Sequence, residues 1–284
     1  MISEELQKKI DRAIRLLKSI ENAADENGKV QPIEVAYSGG KDSDVILQLA
    51  KESGINFKAI YKCTTIDPPG TVKHARDMKV EIRKPREGNT FFKLIQKKGL
   101  PSRWHRFCCS DLKEYKILDK CVMGVRREES AKRAKRYQEP TECRFYGSKK
   151  EHVEAIYPIL DWTLQDVADF IEDRGIVCAP TYYDEQGVFH PERRLGCLCC
   201  PLMSVKKRRE AFKEYPKMLY QYCKNLNIFY DTHPHCSVVM NFGNPYYHIA
   251  YDLEFVKRGD NRSRNLFDID YKKSLEEYFN VELP

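Results

Sequence analysis

The first half of the chain alternates short apolar runs with longer amphipathic ones. Residues 33–37 (Ile-Glu-Val-Ala-Tyr) predict a strand, and residues 44–52, apolar at Val45, Ile46, Leu47, Leu49 and Ala50, predict a helix. The rhythm continues with a strand at 56–63, a helix at 71–78, a strand at 80–84 and a helix at 89–98. Further strands are predicted at 121–125 and 155–159. Residues 163–174 predict a capped helix: Thr163 suits the N-cap, Asp166 follows three residues on, and Gly175 follows the end. Such alternation argues for an α/β fold, a doubly wound and mostly parallel sheet covered by helices. Ligands of such sheets bind at the carboxyl ends of the strands.

The flanks follow a helical period. Residues 1–22 predict a charged amphipathic helix with Leu6, Ile10, Ile14 and Leu17 on one face. Beyond Cys200 the pattern predicts helices at 206–215, 218–227 and 270–279. Residues 232–247, rich in His, Pro, Asn and Gly, read as an irregular loop.

Composition narrows the class. The 284 residues suit one large domain or a domain with an extension. Charged residues at 32 % against 42 % hydrophobic are ordinary for a soluble enzyme. The net charge of +7 suits an anionic partner, a nucleotide or a nucleic acid. No apolar run is long enough to span a bilayer, and the first helix lacks the apolar centre of a secretion signal, so a cytoplasmic location is expected. Eleven cysteines in a reducing compartment then point to metal or redox chemistry rather than disulfides.

The most specific segment is Ser38-Gly39-Gly40-Lys41-Asp42-Ser43, between the first strand and its helix. The glycines let backbone N–H groups approach phosphate oxygens, and the helix N-terminus favours negative charge. Lys41 adds a mobile cation, and Ser38 and Ser43 add hydroxyl donors. The spacing differs from that of the common mononucleotide loop. It resembles the PP-loop of enzymes that split ATP between its α and β phosphates or bind adenylyl-sulfate compounds.

The cysteines form a second constellation. Cys108 and Cys109 are adjacent, and Cys197 and Cys200 make a C-x-x-C pair with Cys199 inside it. Adjacent thiolates reach separate irons of a [4Fe–4S] cluster more readily than one tetrahedral zinc, although zinc or free thiols remain alternatives. Cys199 is an alternative to Cys200. Cys63 and Cys121 read as core residues, Cys143 and Cys178 as loop residues, and Cys223 as helical. Cys236, between His233 and His235, reads as a loop coincidence, because no fourth ligand is spaced for a metal.

Together these pieces resemble the phosphoadenosine phosphosulfate (PAPS) reductase family, over about residues 30–202. Four blocks carry the resemblance. They are the loop at 38–43; Arg106-Phe107-Cys108-Cys109 with Lys113; Gly124-Val125-Arg126-Arg127-Glu128-Glu129-Ser130 with Arg133; and Pro158, Trp162 and Asp166-Val167 followed by Gly196-Cys197 to Cys200-Pro201. The resemblance implies a Rossmann-like PP-loop domain at 30–202, between an N-terminal helix at 1–29 and an α-rich extension at 203–284. It implies a [4Fe–4S] cluster on Cys108, Cys109, Cys197 and Cys200, near the sulfur or phosphate end of the substrate. Lys41, Asp42, Arg126 and Arg127 would be catalytic. The loop residues with Asp67, Arg126, Arg127 and Arg133 would bind the adenine nucleotide. Arginine suits this because its planar fork matches phosphate and sulfate. A solvated basic helix face is the alternative for the arginines, since Lys132, Lys135 and Arg136 follow. The run Arg103, His105, Arg106 could bind a second anion or be a basic surface loop.

Two departures from the family pattern direct the functional reading. The reductases' nucleophilic cysteine lies in a Glu-Cys-Gly-Leu-His motif, which is absent from this chain. After the second strand the chain reads Thr64-Thr65-Ile66-Asp67-Pro68-Pro69 rather than Asp-Thr-Gly; Asp67 could touch ribose or magnesium, or cap the turn. Both departures suit the family's sulfur transferases of DNA phosphorothioation and transfer-RNA thiolation. There ATP adenylylates an acceptor oxygen, magnesium assists, pyrophosphate leaves, and sulfur displaces AMP. The expectation is ATP-dependent sulfur transfer to DNA or RNA from a sulfur donor. The alternatives are an adenylyl-sulfate or PAPS reductase served by a thioredoxin-like reductant, with Cys223 or Cys236 as a displaced nucleophile, and an inactive nucleotide- or nucleic-acid-binding module.

Overall fold

The computed structural model describes residues 2–22, 26, 28–146, 151–256 and 269–284. The chain forms two compact units, each discontinuous in sequence. The first comprises Met1–Pro85 and Ser110–Gly196, the second Arg86–Cys109 and Cys197–Pro284. Residues 257–268 of the expected C-terminal extension, and residues 23–25 and 27 of the expected N-terminal segment, lie outside the described residues.

The first unit is built on six strands: β1 (Ile33–Tyr37), β2 (Phe57–Lys62), β3 (Glu81–Arg83), β4 (Lys120–Val122), β5 (Thr141–Tyr146) and β6 (Glu151–Ile156). Their order is β3-β2-β1-β4-β6-β5. Every pairing is parallel except β5 with β6. The chain runs outward from β1 through β2 to β3 and then returns to β4 on the other side of β1. The sheet therefore has a topological switch point between β1 and β4, where ligands of open α/β sheets bind.

Helices are numbered in chain order. In the first unit they are α1 (Glu4–Ser19), α2 (Lys41–Ser53), α3 (Thr71–Asp77), α6 (Ala131–Arg136) and α7 (Leu164–Asp173). Ile33 and Val35 point to one face of β1, into a core with Val45, Ile46 and Leu49 of α2 and Leu6, Ile10 and Leu17 of α1. The opposite face carries a buried ion pair: Lys62 Nζ lies 3.0 Å from Glu34 Oε1. The second Glu34 oxygen accepts the Leu118 N–H at 3.0 Å, which offsets part of the desolvation cost of the charge. Thr163 and Asp166 close a capping box on α7. Lys9 Nζ reaches Asp166 Oδ2 at 2.7 Å and ties α1 to it.

The second unit contains α4 (Phe91–Lys98), α8 (Val205–Glu214), α9 (Pro216–Thr232), α10 (Ser237–Phe242), α11 (Pro245–Asp252) and α12 (Tyr271–Phe279). The short helix α5 (Phe107–Leu112) begins in it and ends in the first unit. Helix α4 packs along α9: Gln96 Nε2 donates to Asn225 Oδ1 at 2.6 Å, and Phe91 meets Tyr222 with ring centroids 5.4 Å apart. At Gly99 a Cβ would come within 3.1 Å of the Phe229 ring. Among the described residues no helix is long and apolar enough to cross a membrane.

Three expectations are corrected. Residues 232–247 are not an irregular loop, because their polar residues act as helix caps. Cys236 Sγ accepts the Val239 N–H at the start of α10, Gly243 closes that helix at φ +67°, and Asn244 Oδ1 caps α11 ahead of Pro245. Cys143 lies in the antiparallel edge strand β5, exposed, rather than in a loop. Cys178 does lie in a loop, after α7, and is buried there against Asp44. The expected core cysteines divide: Cys121 is buried in β4, while Cys63 is only half-buried after β2.

Candidate functional site

The loop after β1 turns at the switch point. Gly39 sits at φ +78°, and a Cβ there would lie 2.7 Å from Thr71 Cγ2, so both backbone shape and space require glycine. Gly40 is the N-cap of α2. The Ser43 hydroxyl donates to the Gly40 carbonyl at 2.6 Å, and the Ser38 hydroxyl donates to Ser43 Oγ at 3.3 Å. After β4, Gly124 backs onto the same loop: a Cβ there would stand 2.9 Å from the Asp42 carbonyl oxygen. The two glycine segments thus fix the start of α2 from both sides.

Above them opens a cavity of about 440 Å³. Ser38, Gly40, Lys41, Asp42 and Ser43 line it from the loop, and Arg126 and Arg133 from the segment after β4. Lys41 is 4 % exposed and Arg126 is 3 % exposed. Asp42 bridges them: Lys41 Nζ is 3.0 Å from Asp42 Oδ2, and Arg126 Nε is 2.6 Å from Asp42 Oδ1. Arg126 Nη1 also donates to Glu128 Oε2 at 2.7 Å. Arg133 pairs with Glu129.

Two expected site residues stand elsewhere. Arg127 does not line the cavity; it donates to the carbonyls of Tyr137 and Gln138 and pairs with Asp161. Asp67 accepts the Thr64 N–H and the Thr64 hydroxyl, each at 2.8 Å, in a closed turn after β2. It lines a second cavity of about 250 Å³ that shares Ala36 and Ser38 with the first and has Ile60 and Met123 on its walls.

Several site residues carried no usable sequence signal. The Tyr182 hydroxyl accepts the Lys41 N–H, and Lys41 Nζ lies 5.6 Å from that ring's centroid. Glu128 and Glu129 lie within the Gly124–Ser130 block, to which the resemblance assigns roles only for the arginines. Under the loop, Asp44 is fully buried; Tyr37 OH donates to its Oδ1 at 2.5 Å, and His74 Nε2 lies 3.0 Å from the same oxygen. Burial raises the Asp44 carboxyl above the ordinary range, against the opposing bonds from His74 and Tyr37. The position directly after the loop was the only hint of this buried anchor.

The second unit holds the four predicted thiols together. Adjacent Cys109, then burial, then nearby Cys200 and Cys197 push the Cys108 thiol upward. Cys199 is turned inward at φ +52°; it is buried, its carbonyl accepts the Tyr222 hydroxyl at 3.2 Å, and burial pushes its thiol up to about 12. Among the described residues no three His, Cys, Asp or Glu side chains converge as ligands of a single metal ion.

A glycine loop between the first strand of a parallel sheet and its helix, at the switch point, defines a PP-loop nucleotide-binding fold. Residues 32–203 match the phosphoadenosine phosphosulfate reductase domain, and the chain belongs to that family. It is 27 % identical over 221 residues to the uncharacterized protein MJ0066 of Methanocaldococcus jannaschii, covering 72 % of this chain and 43 % of that one. It is 32 % identical over 154 residues to an uncharacterized 37.8 kDa protein of Escherichia phage 186, covering 49 % and 42 %. The chain thus spans less than half the length of these curated relatives. Among solved structures it is similar to PAPS reductase from Candida auris in a phosphate complex, at a TM-score of 0.45 and 14 % identity over 69 % of this chain and 96 % of that one. It is similar also to the U34-tRNA thiolase NcsA from Methanococcus maripaludis with its [4Fe–4S] cluster, at 0.38 and 14 % over 82 % and 81 %.

Proposed function

We propose that this protein is an enzyme that binds magnesium ATP at the glycine loop, adenylylates an acceptor oxygen and transfers sulfur to the activated acceptor, a nucleic acid. The charge balance of the larger cavity carries this reading. Four cations, Lys41, Arg126, Arg133 and Arg194, share its wall with four carboxylates, Asp42, Glu128, Glu129 and Glu192. A phosphosulfate compound without a metal would meet those carboxylates as like charges. A triphosphate escorted by a divalent cation brings the charge they attract. Magnesium takes oxygen ligands and keeps substrate phosphates among them, which suits Asp42 beside the loop.

The residues then divide the work. Backbone N–H groups of the loop and the side chains of Ser38, Ser43 and Lys41 hold the phosphates. Arg126 and Arg133 neutralise charge developing as the acceptor oxygen attacks the α phosphorus. The bond from that phosphorus to the β-bridging oxygen breaks, pyrophosphate leaves, and the acceptor proton passes to water. A hydrosulfide sulfur then attacks the activated acceptor atom, AMP leaves with the former acceptor oxygen, and the sulfur's proton passes to water. Arg127 has no direct part in this scheme, because it does not line the cavity and its guanidinium is held by Asp161 and two carbonyls. The second cavity, apolar at Ile60 and Met123, suits the nucleoside.

Cys108, Cys109, Cys197 and Cys200 fit a [4Fe–4S] cluster in donor chemistry: four soft ligands, with Cys109, Cys197 and Cys200 near Cys108 and Cys199 buried away from them. Such a cluster, when bound, supplies an iron that accepts sulfide. The reductase alternative needs an accessible thiol. Cys223 is buried in α9 with its thiol pushed up to about 12, and Cys236 Sγ caps α10.

The test uses anaerobically purified, cluster-loaded protein. Pyrophosphate and AMP should form from magnesium ATP in the presence of acceptor nucleic acid and sulfide, with no sulfite from adenylyl sulfate or PAPS plus thioredoxin. Sulfite at a catalytic rate, without pyrophosphate from ATP, would overturn the reading in favour of a reductase.

A further inference from the structure

Trp104 is 96 % exposed, whereas the other tryptophan of the chain, Trp162, is 2 % exposed in the core of the first unit. Its neighbours Arg103, His105 and Arg106 are exposed as well. The segment is nonetheless a defined turn. The Ser102 N–H donates to the His105 carbonyl at 3.1 Å, and the His105 N–H donates to Ser102 Oγ at 3.0 Å. Arg103 Nη2 donates to the Met203 carbonyl at 3.0 Å, which ties the turn to the segment just after the C-x-x-C pair. Cys108 and Cys109 follow directly in sequence. The indole therefore stands at the tip of a closed, cationic turn bound to both thiol segments.

Charge identifies the kind of partner. The first unit carries 30 Lys and Arg against 30 Asp and Glu; the second carries 19 against 12. The whole surplus of seven positive charges belongs to the second unit. Within it, residues 86–109 hold six basic residues and one acidic residue. A protein-binding tryptophan would ordinarily sit in a patch depleted of uncompensated charge. A flat aromatic face flanked by cations suits a base between two phosphates, since every base has a π face and every linkage a negative charge.

We propose that residues 102–106 form a stacking platform for an unpaired nucleotide of single-stranded nucleic acid, with the Trp104 indole against the base and Arg103 and Arg106 toward the flanking phosphates. This rests on the reading of the acceptor as a nucleic acid and names the part of the surface that grips it. Duplexes hide their base faces, so the platform discriminates single strands from duplexes by shape rather than by sequence.

The presence of only two tryptophans, one of them buried, makes the test direct. The full chain is titrated, without ATP, with labelled oligo(dT) and oligo(U) of about 12 nucleotides, with a duplex, with polyphosphate and with anionic phospholipid vesicles. Tryptophan emission and oligonucleotide anisotropy are followed at several salt concentrations. Single strands should quench the exposed indole, whereas duplex and polyphosphate should not. Trp104→Ala should abolish the quench and weaken binding about tenfold while leaving the salt dependence unchanged. Trp104→Phe should retain most of the affinity. Arg106→Gln should reduce the slope of log K against log salt by about 1. The comparison of oligo(dT) with oligo(U) distinguishes DNA from RNA.

Equal affinity of Trp104→Ala and the parent protein would overturn the platform. So would quenching by polyphosphate as strong as by single strands, or a vesicle-induced blue shift without oligonucleotide binding. The two readings also fail separately. Stacking without pyrophosphate release from ATP leaves the platform and removes the sulfur-transfer reading. Pyrophosphate release with Trp104→Ala binding unimpaired removes the platform alone.

Discussion

The two units of this chain handle charge in opposite ways. In the first, charges are equal in number and its buried cations are paired: Lys41 with Asp42, Arg126 with Asp42 and the exposed Glu128, and Lys62 with the buried Glu34. In the second, seven positive charges are in surplus and a turn of exposed cations surrounds an exposed indole. The net charge of the chain therefore says nothing about the cavity of the first unit, although both suit an anion. A cavity whose wall balances four cations against four carboxylates selects by local geometry. A surplus spread over a surface attracts polyanions at a distance and loosens its hold as salt rises.

The sharpest way to break this comparison is to remove the cation at the loop. Lys41→Ala should lower pyrophosphate release from ATP by at least about 100-fold, while the melting temperature stays close to that of the parent. Alanine is a good first residue for α2, and Arg126 still neutralises Asp42. Release at the normal rate would mean that the cavity of the first unit is not the phosphate site.

The second unit is tested through its thiols. Cys109→Ser should lose most of the iron and the visible absorbance of protein purified anaerobically. ATP binding to the same variant, followed by equilibrium titration, is the companion measurement. Iron retained in full would show that the ligand set is wrong. Iron and ATP affinity falling together would show that the two units do not divide the chemistry as argued.

What was legible in the sequence follows the same division. The first unit announced itself through local signals: alternation in 33–37, the glycines after it, and the Thr163–Asp166 box all act within a few residues of chain. The second unit is held by contacts that leave no local trace. Phe91 packs on Tyr222, which meets Phe212, which meets Phe279; the first and last of these lie far from the middle two in sequence, so the association of residues 86–109 with the C-terminal segment had no periodic signature. Polar residues at 232–247 resembled a loop because caps and turns use the same side chains. Within the site, Ser38 to Ser43, Arg126 and Arg133 were legible from motif order, and the four thiols from spacing. Tyr182 and Glu128 were not, since their role depends on which loops meet above the sheet.

A smaller effect is expected from the loop's own backbone. Gly39→Ala places a Cβ at φ +78° and 2.7 Å from Thr71 Cγ2, which should cost about 1–3 kcal/mol. For a unit of this size that lowers the melting temperature by about 2–4 °C per kcal/mol. Adding Thr71→Ser removes the clashing methyl and should recover the steric part alone, leaving the cost of the left-handed conformation. Full recovery in the double variant would show that backbone shape imposes no requirement for glycine at this position.

The smallest effect belongs to the tie between α1 and α7, and it tests whether this half-buried pair of the first unit stabilises it. Desolvation opposes ionisation of Asp166, but the Lys9 ammonium and the Thr163 N–H and hydroxyl outweigh it and hold its carboxyl below the ordinary value. The stabilisation is therefore complete above the unfolded carboxyl's pKa, about 3.9, and is lost as the pH falls through the lower folded value. Asp166→Asn keeps part of the capping box and loses the ion pair, so it should cost about 1 kcal/mol at neutral pH. Denaturant melts at descending pH should show the parent and the variant converging below about pH 4. A gap that persists undiminished at low pH would mean that the carboxylate's charge contributes nothing, and that its role is the shape of the cap alone.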